Sequence, residues 1–447
     1  MNKLQLTMLA GVGGFVAALI FAAPMTKGMA GTDTYRQLNL FGDVFERVKN
    51  DYVREVPDSN LVESAINGML ASLDPHSSYM NPKSFSDMQV QTRGEFGGLG
   101  LEVTMEDGLV KVISPMDGTP AARAGIKTGD LIATIDGQTI QGLTLSDAVD
   151  KMRGPANSQV KITIIRKGEK KPIELTLTRA IIRVDSVRFK AENDIAYIRI
   201  TNFNEQTEEG LERAVDQTKS QIGSRLRGVI LDLRNNPGGL LDQAIAVSDA
   251  FLDQGEVVST RGRRASDTQR YNARSGEVLP GVPMVVLINE GSASASEIVA
   301  GALQDHKRAR LVGMRSFGKG SVQTVIPLSG GTDGALRLTT AKYYTPSGRS
   351  IQATGIDPDI EVQQTAEAPP APDPRDIRSE ADLRNHLEDE GAQAKPHVGP
   401  VIKPKPGEKV DDFQLTYALR LLRGQEVVST NTSPPTTTPP APVHAPN

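Results

Sequence analysis

Residues 284–297 read MVVLINEGSASASE and predict a buried strand that turns directly into a helix. The first five side chains form an unbroken apolar run of strand length, which is typical of a strand covered on both faces. A serine between such a strand and a helix lies where backbone N–H groups and the positive end of the helix point outward. The stretch therefore predicts an α/β unit and a turn at which an oxyanion could be stabilised.

The flanking sequence repeats this pattern of strand followed by helix. Strands are predicted at residues 195–200, 229–233, 322–328 and 335–344, and helices at residues 211–222, 240–252 and 295–304. The alternation predicts an α/β core with mostly parallel strands over residues 183–362.

A β-rich module is predicted before this core, over residues 93–182. Its opening Phe96-Gly97-Gly98-Leu99-Gly100-Leu101 places several backbone N–H groups around one leucine, which forms a nest for an anion such as a terminal carboxylate. A helix over residues 145–152 follows Thr144 and Asp147, which fit a capping box. We expect this helix to line a groove for a peptide with an apolar last residue. The predicted peptide-binding residues are Gly98, Leu99, Gly100, Leu101, Ala148 and Met152.

The order of segments in this module resembles bacterial PDZ domains. Residues 120–132 read PAARAGIKTGDLI, and residues 135–137 read IDG, in the places where such domains carry them. A glycine-rich loop alone would be weak support, because ordinary β domains also contain such turns. The resemblance implies a domain that binds the C-termini of proteins.

The ends of the chain differ from these two regions. Residues 4–23 carry no charge and are mostly apolar, which predicts a secretory signal peptide or, at about 20 residues, a membrane anchor. Both alternatives stay open, since Lys27 lies close to the small-residue site at residues 28–30. Residues 31–92 predict an N-terminal helical segment, because apolar residues recur every three or four positions. Residues 363–447 hold half of the 28 prolines and predict a disordered tail with one short helix near residues 411–423.

Composition excludes several classes of function. The 447 residues contain 50 Lys and Arg and 54 Asp and Glu, so the net charge of −4 offers no basic excess for nucleic acid. With no cysteine, the chain has no disulfide, thiol nucleophile or zinc–thiolate site. Three of the five histidines lie in the proline-rich tail, so a metal site built from several histidines is not expected. No cofactor is predicted.

A serine nucleophile needs a base, and the sequence offers few. His306 falls at the far end of the helix, roughly 15–18 Å from its start, and is too distant from Ser294. His76 lies in the N-terminal segment, where a structural role is expected. Lys319 stands between glycines at the start of a predicted strand. From the residues alone, a helix-capping serine and a surface lysine remain open alternatives.

Together these motifs resemble the C-terminal processing peptidases, also called tail-specific proteases. The stretches that carry the resemblance are residues 289–297, Gly318-Lys319-Gly320 with Gln323, residues 232–239 (DLRNNPGG), residues 73–77 (LDPHS) and residues 344–352 (YTPSGRSIQ). It extends from about residue 41 to residue 360 and implies a crotonase-like, ClpP-type α/β protease core with an inserted PDZ domain. It also implies that Ser294 is the nucleophile, Lys319 the general base and Gln323 the residue that orients the amine. Ala295 with Gly238 or Gly239 would supply the oxyanion N–H groups.

This mechanism makes a specific demand on Lys319. An ammonium group cannot accept a proton, so its pKa must fall from about 10.4 to roughly 7–8. We therefore expect a buried Lys319 with no Asp or Glu nearby.

The function expected from the sequence is an exported serine endopeptidase of the periplasm or cell envelope that recognises apolar protein C-termini through its PDZ domain. Its contact with the membrane would be made only through residues 4–23. Self-association into a homo-oligomer through the terminal helices, and an adaptor protein, stay open. The alternative is a non-catalytic PDZ peptide-binding scaffold. An acyl-CoA lyase is disfavoured by the export segment.

Overall fold

A computed structural model describes residues 29–366, 378–389, 401–405 and 410–425. The predicted signal or anchor segment and most of the proline-rich tail lie outside these residues. Within the described part, no helix combines the length and the apolar character needed to cross a bilayer. The chain divides into two compact units, Met1–Met69 and Leu70–Asn447, which are described separately.

The structure contains helices and strands in an order that changes from helical to β-rich to alternating along the chain. The helices are α1 (Met29–Asp51), α2 (Asp58–Ala71), α3 (Pro82–Arg93), α4 (Pro120–Arg123), α5 (Leu145–Met152), α6 (Thr207–Gln221), α7 (Leu241–Ala250), α8 (Ala295–Asp305) and α9 (Phe413–Leu422). The strands are β1 (Ser78–Met80), β2 (Glu95–Gly98), β3 (Leu101–Glu106), β4 (Leu109–Pro115), β5 (Leu131–Ile135), β6 (Gln138–Thr139), β7 (Gln159–Ile165), β8 (Ile173–Thr178), β9 (Ala180–Arg183), β10 (Val187–Glu192), β11 (Ile195–Ile200), β12 (Gly228–Asp232), β13 (Gly255–Gly262), β14 (Gln269–Ala273), β15 (Met284–Ile288), β16 (Arg310–Gly313), β17 (Ser321–Pro327), β18 (Ala335–Tyr344) and β19 (Ile360–Glu361). Short 3-10 helices lie at Gly223–Arg225, Ala265–Asp267, Ser329–Gly331 and Glu380–Asp382.

The N-terminal unit contains α1 and most of α2. The predicted apolar face of α1 is largely exposed, with Leu38 58% and Phe41 52% accessible. Self-association through this face stays a prediction.

The β-rich module is a sheet in the order β3-β4-β5-β7-β8, with β6 added on β5. Helix α5 has the predicted bounds, and Thr144 and Asp147 form the predicted capping box at its start. Apolar side chains of the sheet and of both module helices form one core, in which Val110, Ile132, Ile162 and Ile164 are fully buried. Strand β3 lies at the edge of this sheet, so one of its sides is not paired with any strand of the described residues.

The core of the second half is a sheet in the order β10-β11-β12-β15-β16-β19, parallel from β11 to β19. Side chains of α6, α7 and α8 cover one face, where Leu231, Val286 and Phe251 are fully buried. Helix α9 lies within the predicted range of residues 411–423 and packs on the other face, beside Ile230, Val285 and Leu287. The predicted α/β core with mostly parallel strands is confirmed. The crotonase-like label stays a prediction.

The loop before β17 leads into a second, antiparallel sheet. Strand β18 pairs with β17 along one edge, and with β1 and β13 along the other. The segment 31–92 was predicted to be helical. It also contains β1, which pairs with β18 in this sheet. Helix α3 follows at once, capped by the side chain of Asn81 and started by Pro82.

Candidate active site

Ser294 lies at the turn between β15 and α8, in a strained backbone conformation. Its φ of 54° and ψ of −112° fall outside the common regions for a residue with a side chain, at a cost of about 1–3 kcal/mol. The neighbouring serines are used to hold the turn: Ser292 Oγ donates to the carbonyl of Leu233 at 2.8 Å, and Ser296 Oγ donates to the carbonyl of Asn236 at 2.9 Å. The geometry thus distinguishes Ser294 from both neighbours, and only 8% of it is exposed.

Glu297 connects this turn to the loop that carries Lys319. One oxygen, Oε2, accepts the N–H groups of Ser294 at 2.7 Å and Lys319 at 2.9 Å. The other, Oε1, accepts the Ser316 hydroxyl at 2.6 Å and the Gly318 N–H at 2.7 Å. The side chain is fully buried, which raises the pKa of Glu297 to about 7 although these four hydrogen bonds favour the ionised form. No motif in the sequence assigns Glu297 a role.

Lys319 is largely buried, and its pKa is lowered. Burial is the main cause, and the positive charge of Arg337 acts in the same direction, whereas Glu380, Glu297 and Asp74 act against it. The expectation that no Asp or Glu lies nearby was therefore wrong. Among the described residues, however, no carboxylate lies within ion-pair distance of Lys319 Nζ. No hydrogen bond joins Nζ to Ser294 Oγ, and such contacts are often long before a substrate binds.

Gln323 lies on β17 and belongs to a hydrogen-bonded chain. Its amide Nε2 donates to Ser321 Oγ at 2.9 Å and to Thr339 Oγ1 at 3.2 Å. Thr339 in turn donates to Asp74 Oδ1 at 3.0 Å. Burial would raise the pKa of Asp74, but hydrogen bonds from Ser77, His76 and Thr339 outweigh it and lower the value. The ionised Asp74 fixes Thr339, and Gln323 is left with its Oε1 oxygen as an acceptor.

Gly238 lies beside Ser294 and Ala295, and Gly239 follows it against the backbone of Phe203. A Cβ atom on Gly238 would stand 2.8 Å from Ser294 Cβ and 2.9 Å from the Ala295 nitrogen, so a larger residue would collide with the turn. The N–H of Gly238 is already donated to Asn236 Oδ1 at 2.9 Å. The N–H of Gly239 has no hydrogen bond within the described residues. Ala295 begins α8, so its N–H has no acceptor in its own helix.

A cavity lies in the β-rich module where the sequence predicts a peptide groove. A cavity of about 100 Å³ is lined by Gly98, Leu99, Gly100, Leu101, Val103, Phe96, Met152, Arg153 and Val149. Ala148 is not among the lining residues, because it faces the core of the module and is fully buried. The prediction placed the groove-lining residue of α5 one position too early. Adjacent residues of a helix point about 100° apart, so the residue after Ala148 faces the groove. Val149 takes the place assigned to Ala148.

His76 and His306 have structural contacts. His76 Nε2 lies 2.9 Å from both carboxylate oxygens of Glu380, and His306 Nε2 contacts the carbonyl of Glu256 at 2.8 Å. The described residues contain no group of three His, Asp or Glu side chains that could hold a metal ion.

Comparison with known proteins identifies the family. Residues 194–362 match peptidase family S41, residues 97–177 match the PDZ domain, and residues 21–84 match the N-terminal domain of the activating protease CtpB. A carboxy-terminal-processing protease of Bartonella bacilliformis is 52% identical over 414 residues, which are 92% of this chain and 93% of that protein. The chain belongs to the carboxy-terminal-processing proteases of peptidase family S41.

Two further proteins are also similar to this chain. A carboxyl-terminal-processing protease of Synechocystis is 40% identical over 309 residues, covering 67% of this chain and 71% of the relative. Among solved structures, the photosystem II D1 C-terminal processing protease is 31% identical, with a TM-score of 0.42 over 73% of this chain and 92% of that one. This member of family S41 is a serine-type peptidase with a PDZ domain, as the sequence predicted.

Proposed function

We propose that this S41 peptidase cleaves peptide bonds with Ser294 as nucleophile and Lys319 as general base. The observation that carries the proposal is the Glu297 carboxylate, of which one oxygen accepts the N–H groups of both residues. A strained serine and a lysine with a lowered pKa are thereby fixed to the same buried atom. Nucleophile and oriented base are the two parts that a Ser–Lys mechanism requires.

The neutral Lys319 amine takes the proton of the Ser294 hydroxyl as Oγ attacks the scissile carbonyl carbon. The carbonyl oxygen becomes an oxyanion, which the N–H groups of Ala295 and Gly239 stabilise. Gly239 is favoured over Gly238 because the Gly238 N–H already donates to Asn236. Lys319 then returns the proton to the leaving amine, and water hydrolyses the acyl-enzyme by the same route. Gln323 holds the amine through its Oε1 oxygen, which accepts no hydrogen bond from the residues that the structure describes.

The substrates are proteins or peptides whose C-terminus binds the groove between β3 and α5. The free edge of β3 accepts the peptide as an added strand, and the glycine-rich turn at residues 97–100 receives the terminal carboxylate. Leu99, Met152 and Val149 make the groove apolar, which favours an apolar last residue.

Export to the periplasm or cell envelope is part of the proposal and is supported by the uncharged apolar residues 4–23. Self-association is supported by the exposed apolar face of α1. A crotonase-like, ClpP-type classification is supported by the parallel order β11-β12-β15-β16 with three helices covering one face.

The test is hydrolysis of a peptide with an apolar C-terminal residue by the full-length protein. We expect Ser294→Ala to abolish cleavage and covalent labelling by a fluorophosphonate, whereas Ser266→Ala, at an exposed serine, leaves both unchanged. Amidation of the peptide's C-terminus should lower kcat/KM. Peptide binding without cleavage by the unaltered protein would favour the non-catalytic scaffold instead.

A further inference from the structure

Residues 378–389 form a short segment that contacts the loop carrying Lys319. Its first turn is the 3-10 helix Glu380–Asp382, which the Asp382 carboxylate caps by accepting the Ser379 N–H at 2.8 Å. Glu380 is fully buried, although the segment follows the peptidase core in sequence. Its backbone N–H donates to the carbonyl of Phe317 at 2.9 Å, two residues before Lys319.

The Glu380 carboxylate reaches the other side of the same loop through Gln352. Gln352 Nε2 donates to Glu380 Oε1 at 3.1 Å, and Gln352 Oε1 accepts the N–H of Gly320 at 3.1 Å. His76 Nε2 lies 2.9 Å from both Glu380 oxygens and holds the carboxylate in place. Lys319 is therefore flanked by two backbone groups, at Phe317 and Gly320, whose positions both depend on Glu380.

The far end of the segment is also attached to the core. The carbonyl of Glu388 accepts Lys342 Nζ at 2.8 Å, and Asn385 Nδ2 donates to the carbonyl of Ala71 at 3.1 Å. Beside it lies a cavity of about 790 Å³ whose charged lining residues are Arg261, Arg263, Lys342, Arg349 and Asp389. Asp389, at the end of the segment, thus lies against a basic surface, which favours the docked position.

We propose that Glu380 is a positioning residue for the catalytic loop, and that residues 378–389 form a strap that completes the active site from the C-terminal part of the chain. Without the strap, the Phe317 carbonyl and the Gln352 amide lose their buried partner. The loop would then hold Lys319 less firmly within reach of Ser294. Small displacements of a general base lower the catalytic rate strongly. The inference rests on the proposed role of Lys319.

Because Glu380 is charged, its replacement should change the pH dependence of kcat. Its negative charge stabilises the protonated Lys319 and so raises the pKa of that amine, together with Glu297 and Asp74, whereas burial and Arg337 lower it. Replacing Glu380 by an uncharged residue should lower the lysine pKa further. Because the neutral amine is the active form, the acidic limb of the pH–kcat profile should move to lower pH.

The experiment compares Glu380→Ala and Glu380→Gln in the full-length protein, with Glu388→Gln as the matched control on an exposed side chain of the same strap. We expect kcat of Glu380→Ala to fall at least about tenfold, because buried partners are left unpaired, with KM changed less than twofold. Glu380→Gln can still accept from Gln352, so it should keep more activity and show the acidic limb at lower pH. The control should match the unaltered protein.

If Ser294→Ala is inactive, as expected, either of two results would overturn the inference. One is an unchanged kcat in Glu380→Ala. The other is a fall in kcat that follows a fall in Tm, with the acidic limb of Glu380→Gln unmoved, which would mark Glu380 as merely structural. Residual cleavage by Ser294→Ala would instead overturn the nucleophile assignment, and this inference with it. Gln352→Leu, alone and combined with Glu380→Ala, completes a double-mutant cycle. If Glu380 acts through Gln352, the double variant loses no more activity than the more impaired of the two single variants.

Discussion

Replacement of Glu297 by glutamine tests the part of the site that joins nucleophile and base. The change keeps the size of the side chain but exchanges one acceptor oxygen for an NH₂ group. If the NH₂ group takes the Oε2 position, it faces the N–H groups of both Ser294 and Lys319. If it takes the Oε1 position, it faces the N–H of Gly318 and the hydroxyl of Ser316, which can rotate to accept.

At least one buried backbone N–H therefore loses its acceptor in either orientation. The cost of such a group is about 1–3 kcal/mol, and each 1.4 kcal/mol is a factor of ten. If the loop or the turn shifts to relieve the contact, kcat should fall by roughly 5- to 150-fold. The orientation with the NH₂ group at Oε1 leaves fewer donors unpaired, so the lower part of this range is expected.

The assay is kcat for a saturating peptide substrate together with the melting temperature. Glu290→Gln is the matched control, because Glu290 lies in the same stretch before α8 but is exposed. A kcat of Glu297→Gln within twofold of the unaltered protein would refute the argument. So would an equal loss in the control, since that would show a general sensitivity of the turn.

Two more substitutions test separate parts of the proposal. Arg337→Gln removes a positive charge that lowers the pKa of Lys319, so the pKa of Lys319 should rise. The acidic limb of the pH–kcat profile should then move to higher pH, opposite to the shift expected for Glu380→Gln. An unmoved limb would argue against Lys319 as the base. Val149→Asp places a negative charge in the peptide groove, so kcat/KM for peptides with a free, apolar C-terminus should fall about tenfold or more, while labelling of Ser294 by a small fluorophosphonate is unchanged; an unchanged kcat/KM would mean that the groove does not bind the substrate.

Local signals in the sequence predicted several elements well. The bounds of α5 and β18 agree with the structure, and α9 lies within its predicted range. Each element is set by neighbouring residues, namely a capping box, an alternating strand pattern and a short apolar stripe. The error at Ala148 is also local, as one helix position separates the core side from the groove side. The proposed nucleophile and base were found from a resemblance to a family rather than from periodicity.

The carboxylates around the site could not be predicted in this way. Glu297 reads as an ordinary first-turn acid of α8, and its partners at Ser316, Gly318 and Lys319 come from a loop that follows the next strand. Asp74 and Glu380 come from still more distant segments. Such contacts depend on how elements pack in three dimensions, and no window of local sequence contains them.

The positions of these carboxylates reconcile a buried lysine base with nearby negative charge. Each acid directs its oxygens to groups other than the amine: Glu297 to four donors of its own turn and the lysine loop, Glu380 to Gln352 and His76, and Asp74 to Ser77, Thr339 and backbone N–H groups. Acids placed in this way fix the backbone around Lys319 without forming an ion pair with Nζ. Burial can then outweigh their electrostatic effect, and the pKa of Lys319 falls as a general base requires. An acid moved into contact with Nζ would keep the ammonium charged, so the site tolerates carboxylates near the loop only while they stay hydrogen-bonded elsewhere.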